Sequence, residues 1–285
     1  MKRKLLTFAA AGATLLAMYG LCGSALAQPA SYNFSPVNQW DIKLTAAYWN
    51  PIITYVSEKS GVKLNLKIGR TSADTTSYVL ANEVEFVFSN HLFSPEREQL
   101  GWKVFGRRNT PTVQGQIVVP ADSSITDLAQ LKGQDVAFAG PEAFIVYKVP
   151  YANLLAKNID VKPVFAGNQN AAFAQLFSGK VVASGGNSQL VEGYTRREGK
   201  KFRVLWSSEA FPDLALMASG KVPEKDLKAV STAFIGMYKD PKGQEILHQA
   251  SKEVGLPNDA YFIPASGADY AAYKRFYQSA PAALH

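Results

Sequence analysis

The chain has 285 residues, with 30 basic and 23 acidic side chains and a formal net charge of +7. Apolar residues make up 47% and aromatics 12%, which excludes a disordered or fibrous chain. A single Cys excludes a disulfide-stapled scaffold and a Cys-rich metal or cluster site.

Lys2, Arg3 and Lys4 precede an apolar run from Leu5 to Leu21, which ends in Cys22-Gly23-Ser24-Ala25-Leu26-Ala27. A basic start, an apolar middle and an Ala25-x-Ala27 end are the three parts of a secretory signal peptide, expected over residues 1–27. The run is marginal for a membrane span of about 20 residues. Leu21 is too large, just before Cys22, for lipid attachment there. Cleavage after Ala27 removes the one Cys and three basic residues. The modest positive charge that remains gives no argument for nucleic acid as a partner.

Gln28 to Asp41 is polar and Pro-interrupted and reads as a loose lead-in. Ile42 to Ala47 reads as the first strand, and Asn50-Pro51 as the start of a helix that Gly61 ends. Leu64 to Ile68 alternates as a second strand. Ser72 to Ala81 reads as a helix and Glu85 to Phe88 as a third strand. Strands and helices alternating in this way imply a parallel α/β sheet.

A second block follows. Strands are expected at 116–120, 135–139, 162–165, 181–184 and 202–206, and helices at 127–131, 144–157, 168–177 and 188–198. Residues 120–208 therefore read as an α/β unit of their own. After Phe211-Pro212 come the run Leu214 to Ala218 and three helical patterns, near 224–237, 242–253 and 268–279. There is no internal repeat and no second apolar run of membrane length.

Four stretches, in order and spacing, carry a family resemblance: Leu44 to Pro51; Glu85-Phe86-Val87-Phe88-Ser89-Asn90; Asp127 to Phe138; and Val222 to Leu227 through Pro241-Lys242-Gly243. Together they resemble the phosphate/phosphite/phosphonate-type periplasmic substrate-binding proteins of ABC transporters. The resemblance covers nearly all of the chain after the signal. It implies an α/β, two-lobed periplasmic-binding-protein-like fold of type II, with two hinge crossings and the ligand in the cleft. Lobe one is expected at 28–119 plus 210–285 and lobe two at 120–209, with crossings at 116–121 and 205–211. The resemblance further implies a monomer in the periplasm, without a cofactor, that delivers a small-molecule ligand to an ABC permease. A membrane sensor kinase is the alternative partner.

Ligands in α/β sheets sit beyond the C-terminal ends of the strands. That rule selects Tyr48 and Trp49, Arg70 and Thr71, Ser89, Asn90 and His91, then Glu142, Ala143 and Phe144, Ser184 and Asn187; Trp206 lies near the second crossing. Relatives that bind phosphonates resemble one another in a Ser/Thr-rich turn ahead of the helix near residue 144. Here the turn is Gly140-Pro141-Glu142-Ala143-Phe144, with no hydroxyl and with a carboxylate where the anion is expected. Glu142 either faces the ligand, where it would repel an oxyanion, or only caps the helix.

His91 is either a ligand donor or a histidine of the cleft rim. A metal held by His91 and Glu142 alone would be weak, so no metal site is expected. Tyr48, Trp49, Phe144 and Trp206 either line the cleft or fill the core, and Arg70 is the best partner for an acidic group. These departures point away from a bare oxyanion, toward a different or amine-bearing ligand. No constellation for catalysis is present: there is no Gly-x-Ser-x-Gly, His-Glu-x-x-His or Gly-x-Gly-x-x-Gly.

Overall fold

Ser31–Pro36 forms an interior strand, β1, where the sequence reads as a loose lead-in. The computed structural model describes residues 30–257 and 260–285. The signal expected over residues 1–27 lies outside the described residues. After β1 comes a 19-residue helix, α1 (Ile42–Ser60). Asp41 caps it by accepting the Leu44 N–H at 2.9 Å, and Gly61, at φ 69°, ends it in the left-handed region that glycine adopts without strain.

The strand expected at Ile42 to Ala47 is therefore the first half of α1. Alternating Ile42, Leu44 and Ala46 imitate a strand, but Thr45, Tyr48, Trp49, Ile52, Ile53, Tyr55 and Val56 are the residues buried, a helical three-and-four spacing. Pro51 sits inside the helix rather than at its start.

The rest of lobe one follows in β2 (Lys63–Leu66), α2 (Asp74–Leu80), β3 (Phe86–Ser89), the single turn α3 (Pro95–Glu98) and β4 (Lys103–Arg108). The chain then enters lobe two: β5 (Val113–Pro120), β6 (Asp135–Phe138), a π-helical turn over Phe144–Lys148 continued by α4 (Val149–Ala156), β7 (Lys162–Phe165), α5 (Gln169–Phe177), β8 (Ala183–Asn187), α6 (Ser188–Glu198) and β9 (Phe202–Phe211). It returns in β10 (Ala215–Ala218), α7 (Glu224–Gly236), α8 (Pro241–Val254), β11 (Phe262–Pro264) and α9 (Ala271–Ser279).

Two sheets result. The first has the order β11-β4-β10-β3-β1-β2, with β1 parallel to β2 and β3, and with β10 antiparallel to β3 and β4. The second has the order β7-β6-β8-β5-β9, with β6 parallel to β7 and β8, and with β5 antiparallel to β8 and β9. β5 and β9 pair along most of their length inside the second sheet. The chain thus passes between sheets at 109–112 and 212–214, outside the segments 116–121 and 205–211 where the sequence suggests crossings.

At the root of these passages lies a fully buried ion pair. Arg108 Nε donates to Asp213 Oδ2 at 2.6 Å, and neither side chain is solvent-exposed. Thr110 Oγ1 donates to the same carboxylate oxygen at 3.2 Å, and the Leu214 N–H to the other at 2.8 Å. The rings of Trp40, Tyr48 and Phe88 lie 4.8–5.9 Å from the guanidinium carbon. Removing one partner leaves the other charge buried and unpaired, which costs about 3–5 kcal/mol. Asp213→Ala and Arg108→Ala should each lower the unfolding free energy by about that amount, read from urea denaturation. A loss below about 1 kcal/mol would contradict the role given to this pair.

Candidate functional site

The strand ends of both sheets meet at one cavity between the lobes. Val37, Asn38 and Gln39 follow β1, Ser72 precedes α2, and Asn90 and His91 follow β3. Lobe two contributes Ala139 after β6, residues 143–146 at the π-helical turn, Gln169 at the start of α5, Asn187 at the end of β8, and Leu190. Leu214 enters from the second passage. The lining has no charged side chain.

The amides of the lining are oriented by their neighbours. Asn38 Nδ2 donates to Gly69 O at 2.6 Å, and Gln169 Nε2 to Gly185 O at 2.9 Å. Gln39 Oε1 accepts from Arg108 Nη2 at 2.9 Å, and Asn187 Oδ1 accepts the Gln189 N–H at 2.9 Å as the cap of α6. Asn90 Nδ2 lies 3.4 Å from the Tyr273 hydroxyl. The helical hydrogen bonds of the π-helical turn begin with the N–H groups of Tyr147 and Lys148 on Ala143 O. The N–H groups of residues 144–146, one turn earlier, have no carbonyl of their own helix to bond.

Contacts join the two lobes at two places. On one side the Ser72 N–H donates to Gly167 O at 2.8 Å. Arg97 of lobe one donates both to His91 O at 2.8 Å and to the Glu142 carboxylate of lobe two. Phe144 packs against Tyr273, Phe276 and Tyr277 of α9, at ring-centroid distances of 4.4–5.6 Å. On the other side Arg196 and Arg197 of α6 donate to Gly255 O and Val254 O at the end of α8.

The residues selected from the sequence separate into two groups. Asn90, His91, Ala143, Phe144 and Asn187 line the cavity. Tyr48 and Trp49 do not: they sit within α1, where Trp49 packs on Phe34 and Phe88 and Tyr48 stands beside Arg108. Their selection followed from reading the start of α1 as a strand. Arg70 is exposed, and its backbone N–H and that of Thr71 are taken by Asp74 Oδ2 at 2.6 and 3.0 Å, so this loop is closed on itself and Ser72 reaches the cavity instead. Burial pushes the Asp74 carboxyl up, but these loop bonds outweigh it and hold it below the usual value.

Ser89 Oγ accepts the His91 N–H at 3.0 Å, which shapes the turn. Ser184 Oγ donates to Ala137 O at 3.1 Å within the second sheet. Trp206 lies on β9 opposite Ile117. Glu142 turns to Arg97 rather than to the cavity. Burial pushes its carboxyl up, but the bond and charge of Arg97 prevail and hold it below 4.5.

Val37 to Gln39, Ser72, Ala139, Ile145, Val146, Gln169, Leu190 and Leu214 also line the cavity and are not among the residues that the sequence selects. The strand-end rule, applied to Ser31–Pro36 and to Lys162–Phe165, points to Asn38 and Gln169. Pro29 and Pro36 obscure the first strand in the sequence, whereas the second is legible there. Among the described residues, no group of three or more His, Cys, Asp or Glu could hold a metal ion.

His91 is fully buried, with Nδ1 3.1 Å from Thr76 Oγ1. Desolvation lowers its pKa from 6.5 to about 3, against the opposing pull of Glu142. The ring is therefore neutral at working pH, a dipole rather than a cation in the cavity wall.

The chain matches the family model described as "ABC transporter, phosphonate, periplasmic substrate-binding protein" over residues 41–270. It is similar in fold to the binding-protein component of an ABC phosphonate transporter from Pseudomonas aeruginosa (TM-score 0.75, 14% identity, covering 88% of this chain and 87% of that one). PhnD1 from Prochlorococcus marinus in complex with methylphosphonate is similar as well (TM-score 0.74, 16% identity, 88% and 98% covered). No curated protein sequence matches the chain.

Two predictions come from this geometry. The unfolded chain protonates His91 below pH 6.5 while the folded chain does not until about pH 3, so stability falls as pH drops through that window. At pH 5 the loss is about 2 kcal/mol relative to pH 8. His91→Gln should remove that component from the pH dependence of urea denaturation, and an unchanged slope would contradict it. Glu142→Gln should weaken the bridge to Arg97 by about 1 kcal/mol or less. The unliganded protein should then be more open, with a larger radius of gyration by X-ray scattering. Its depressed pKa means that the bridge contributes fully above the usual carboxylate range and is lost as pH falls below it.

Proposed function

The chain belongs to the phosphonate-type periplasmic substrate-binding proteins of ABC transporters, and from that premise we propose that it encloses one small acidic solute between its lobes, in the periplasm, and delivers it to an ABC permease. Members of this family bind a substrate rather than transform it. The observation that carries the reading is the cavity between the lobes at the strand ends of both sheets. A cleft closed around its solute presents a shape that the open protein lacks, and a permease can select that shape.

The size and polarity of the cavity narrow the solute. About 40 Å³ is open to the centres of water-sized molecules, against roughly 10–15 Å³ for one water. That favours a solute of a few heavy atoms over a nucleotide or a peptide. Its acceptor end meets the N–H groups of residues 144–146, at the start of a helical run that continues through α4. The free Nε2 of Gln39 and Nδ2 of Asn187 supply further donors.

The loop Gly140-Pro141-Glu142-Ala143 adds no hydroxyl, and Glu142 is committed to Arg97. The seat is therefore built from neutral dipoles, which suits a monoanion better than a phosphonate dianion. The methylphosphonate of the Prochlorococcus marinus complex marks the family's solute class, and this cavity supports a departure from it.

Proteoliposomes carrying the cognate permease test the delivery role. ATP hydrolysis should rise severalfold when the protein is added with a solute that closes it by X-ray scattering, and not with either alone. A solute-closed protein that leaves hydrolysis unchanged would overturn the role.

A further inference from the structure

A second hollow lies on lobe one alone, beside the loop that serves the cavity. The loop of residues 90–102 leaves β3, and its first two residues, Asn90 and His91, line the inter-lobe cavity. The next two, Leu92 and Phe93, line the other hollow. Its floor is the sheet: Val104 of β4 and Met217 of β10 are partners across the two strands and so share one face. Trp102 and Lys274 of α9 add to its walls. The volume is about 420 Å³, against about 40 Å³ for the inter-lobe cavity, and small-molecule pockets typically span about 300–1,000 Å³. Every residue that lines it belongs to lobe one, so the pocket is complete whether the lobes are apart or together.

The lining joins an apolar floor to a cationic rim. Leu92, Phe93 and Met217 are buried, and Phe93 is fixed by a stack on Tyr270, with ring centroids 4.6 Å apart. Three cations, Arg97, Lys103 and Lys274, stand against one carboxylate, Glu98. Two of the cations are engaged: Arg97 bonds Glu142, and Lys274 bonds Glu98. Lys103 is exposed, and among the described residues no side chain pairs with it. The pocket therefore carries one uncompensated positive charge beside buried apolar surface. A neutral apolar molecule leaves that charge unused, and an inorganic anion leaves the floor unused.

We propose that this pocket is a second binding site, for an amphipathic acid: an apolar body, one ring or a short chain, lies against Leu92, Phe93 and Met217, and a single carboxylate pairs with Lys103. The site differs from the inter-lobe cavity in two ways. Nothing in it comes from lobe two, so filling it gives no differential stabilisation of the closed form and does not draw the lobes together. Its charge stands at a wet rim, so the carboxylate adds what an exposed ion pair adds, a few-fold in affinity, while the apolar floor supplies the rest.

Titration at pH 7 with γ-phenylbutyrate, its neutral amide and the amine phenylbutylamine tests this, read by tryptophan emission and by calorimetry. The acid should change the emission saturably at millimolar concentration or below. It should bind at least about threefold more tightly than the amide, and the amine should bind most weakly. Of the four Trp, Trp102 is the one that lines the pocket, so Trp102→Phe should abolish the emission change while calorimetry still registers the acid. Lys103→Gln should bring acid and amide to within about 1.5-fold of each other. Saturation with the acid should leave the radius of gyration by X-ray scattering unchanged. An acid that binds the wild-type protein no more tightly than the amide overturns the inference, and this comparison stands by itself if either variant fails to fold. An emission change that survives in Trp102→Phe, or that comes with closure of the lobes, places the acid elsewhere and overturns it as well. So does the absence of saturable binding by calorimetry.

Discussion

The buried pair of Arg108 and Asp213 is the constraint on which the rest of the molecule depends. It joins the last residue of β4 to the residues that lead into β10, so both passages between the lobes leave lobe one from a single fixed point. The same point is held from the C-terminal side. The Tyr270 hydroxyl donates to Asp213 O at 2.9 Å and the Tyr273 hydroxyl to Pro212 O at 2.7 Å. Replacing such a pair by well-packed apolar residues often costs no stability, so its value lies in what its directional bonds position. One of those bonds runs from Arg108 to Gln39 and sets which face of that amide looks into the cavity. The hinge and the cavity floor are thus a single hydrogen-bonded unit.

Closure is distributed over contacts that are individually weak. Arg196 and Arg197 bond the last carbonyls of α8, where the helix dipole favours positive charge, an effect of about 0.3–1 kcal/mol per group near a surface. The bridge of Arg97 to Glu142 is partly exposed and of similar size. Phe144 adds apolar contact with α9. A set of small contributions suits a protein that must open again, since a solute shifts the lobes only by its differential affinity for the closed form. The placement of Glu142 follows the same logic. It occupies the loop where a hydroxyl seat for the anion is expected, yet its carboxylate is spent on joining the lobes.

Much of the architecture is legible in the sequence because alternation of strands and helices is a periodicity signal. Lobe two is the clearest case. β6, β7, α5 and α6 lie close to where their patterns and caps put them, with Asn168 and Asn187 capping the two helices. Lobe one is less legible at its start. Ser31–Pro36 is a strand by its neighbours β2 and β3 rather than by its own composition, and tertiary pairing overrides the prolines around it. The opening of α1 shows the converse, a short alternating run that belongs to a helix. These two misreadings are one error seen twice. Moving the first strand about ten residues along the chain placed Tyr48 and Trp49 at a strand end and hid Asn38 and Gln39, which actually occupy one.

The site itself is harder to read because its chemistry lies in orientation rather than in residue type. Asparagine and glutamine carry a donor and an acceptor on one group, so a sequence that names Asn38 or Gln169 leaves the polarity of the wall undecided. Only the backbone carbonyls of Gly69 and Gly185, each far from its partner along the chain, decide it. Ionisable groups around the cavity are engaged behind its surface: Arg108 with Asp213, Arg97 with Glu142, and His91 kept neutral by burial. What remains around the cavity is uncharged: apolar side chains from both lobes, interrupted by the amides of Asn38, Gln39, Asn90, Gln169 and Asn187. A wall of that kind offers a solute no countercharge, so shape and hydrogen bonding are what it has to select with.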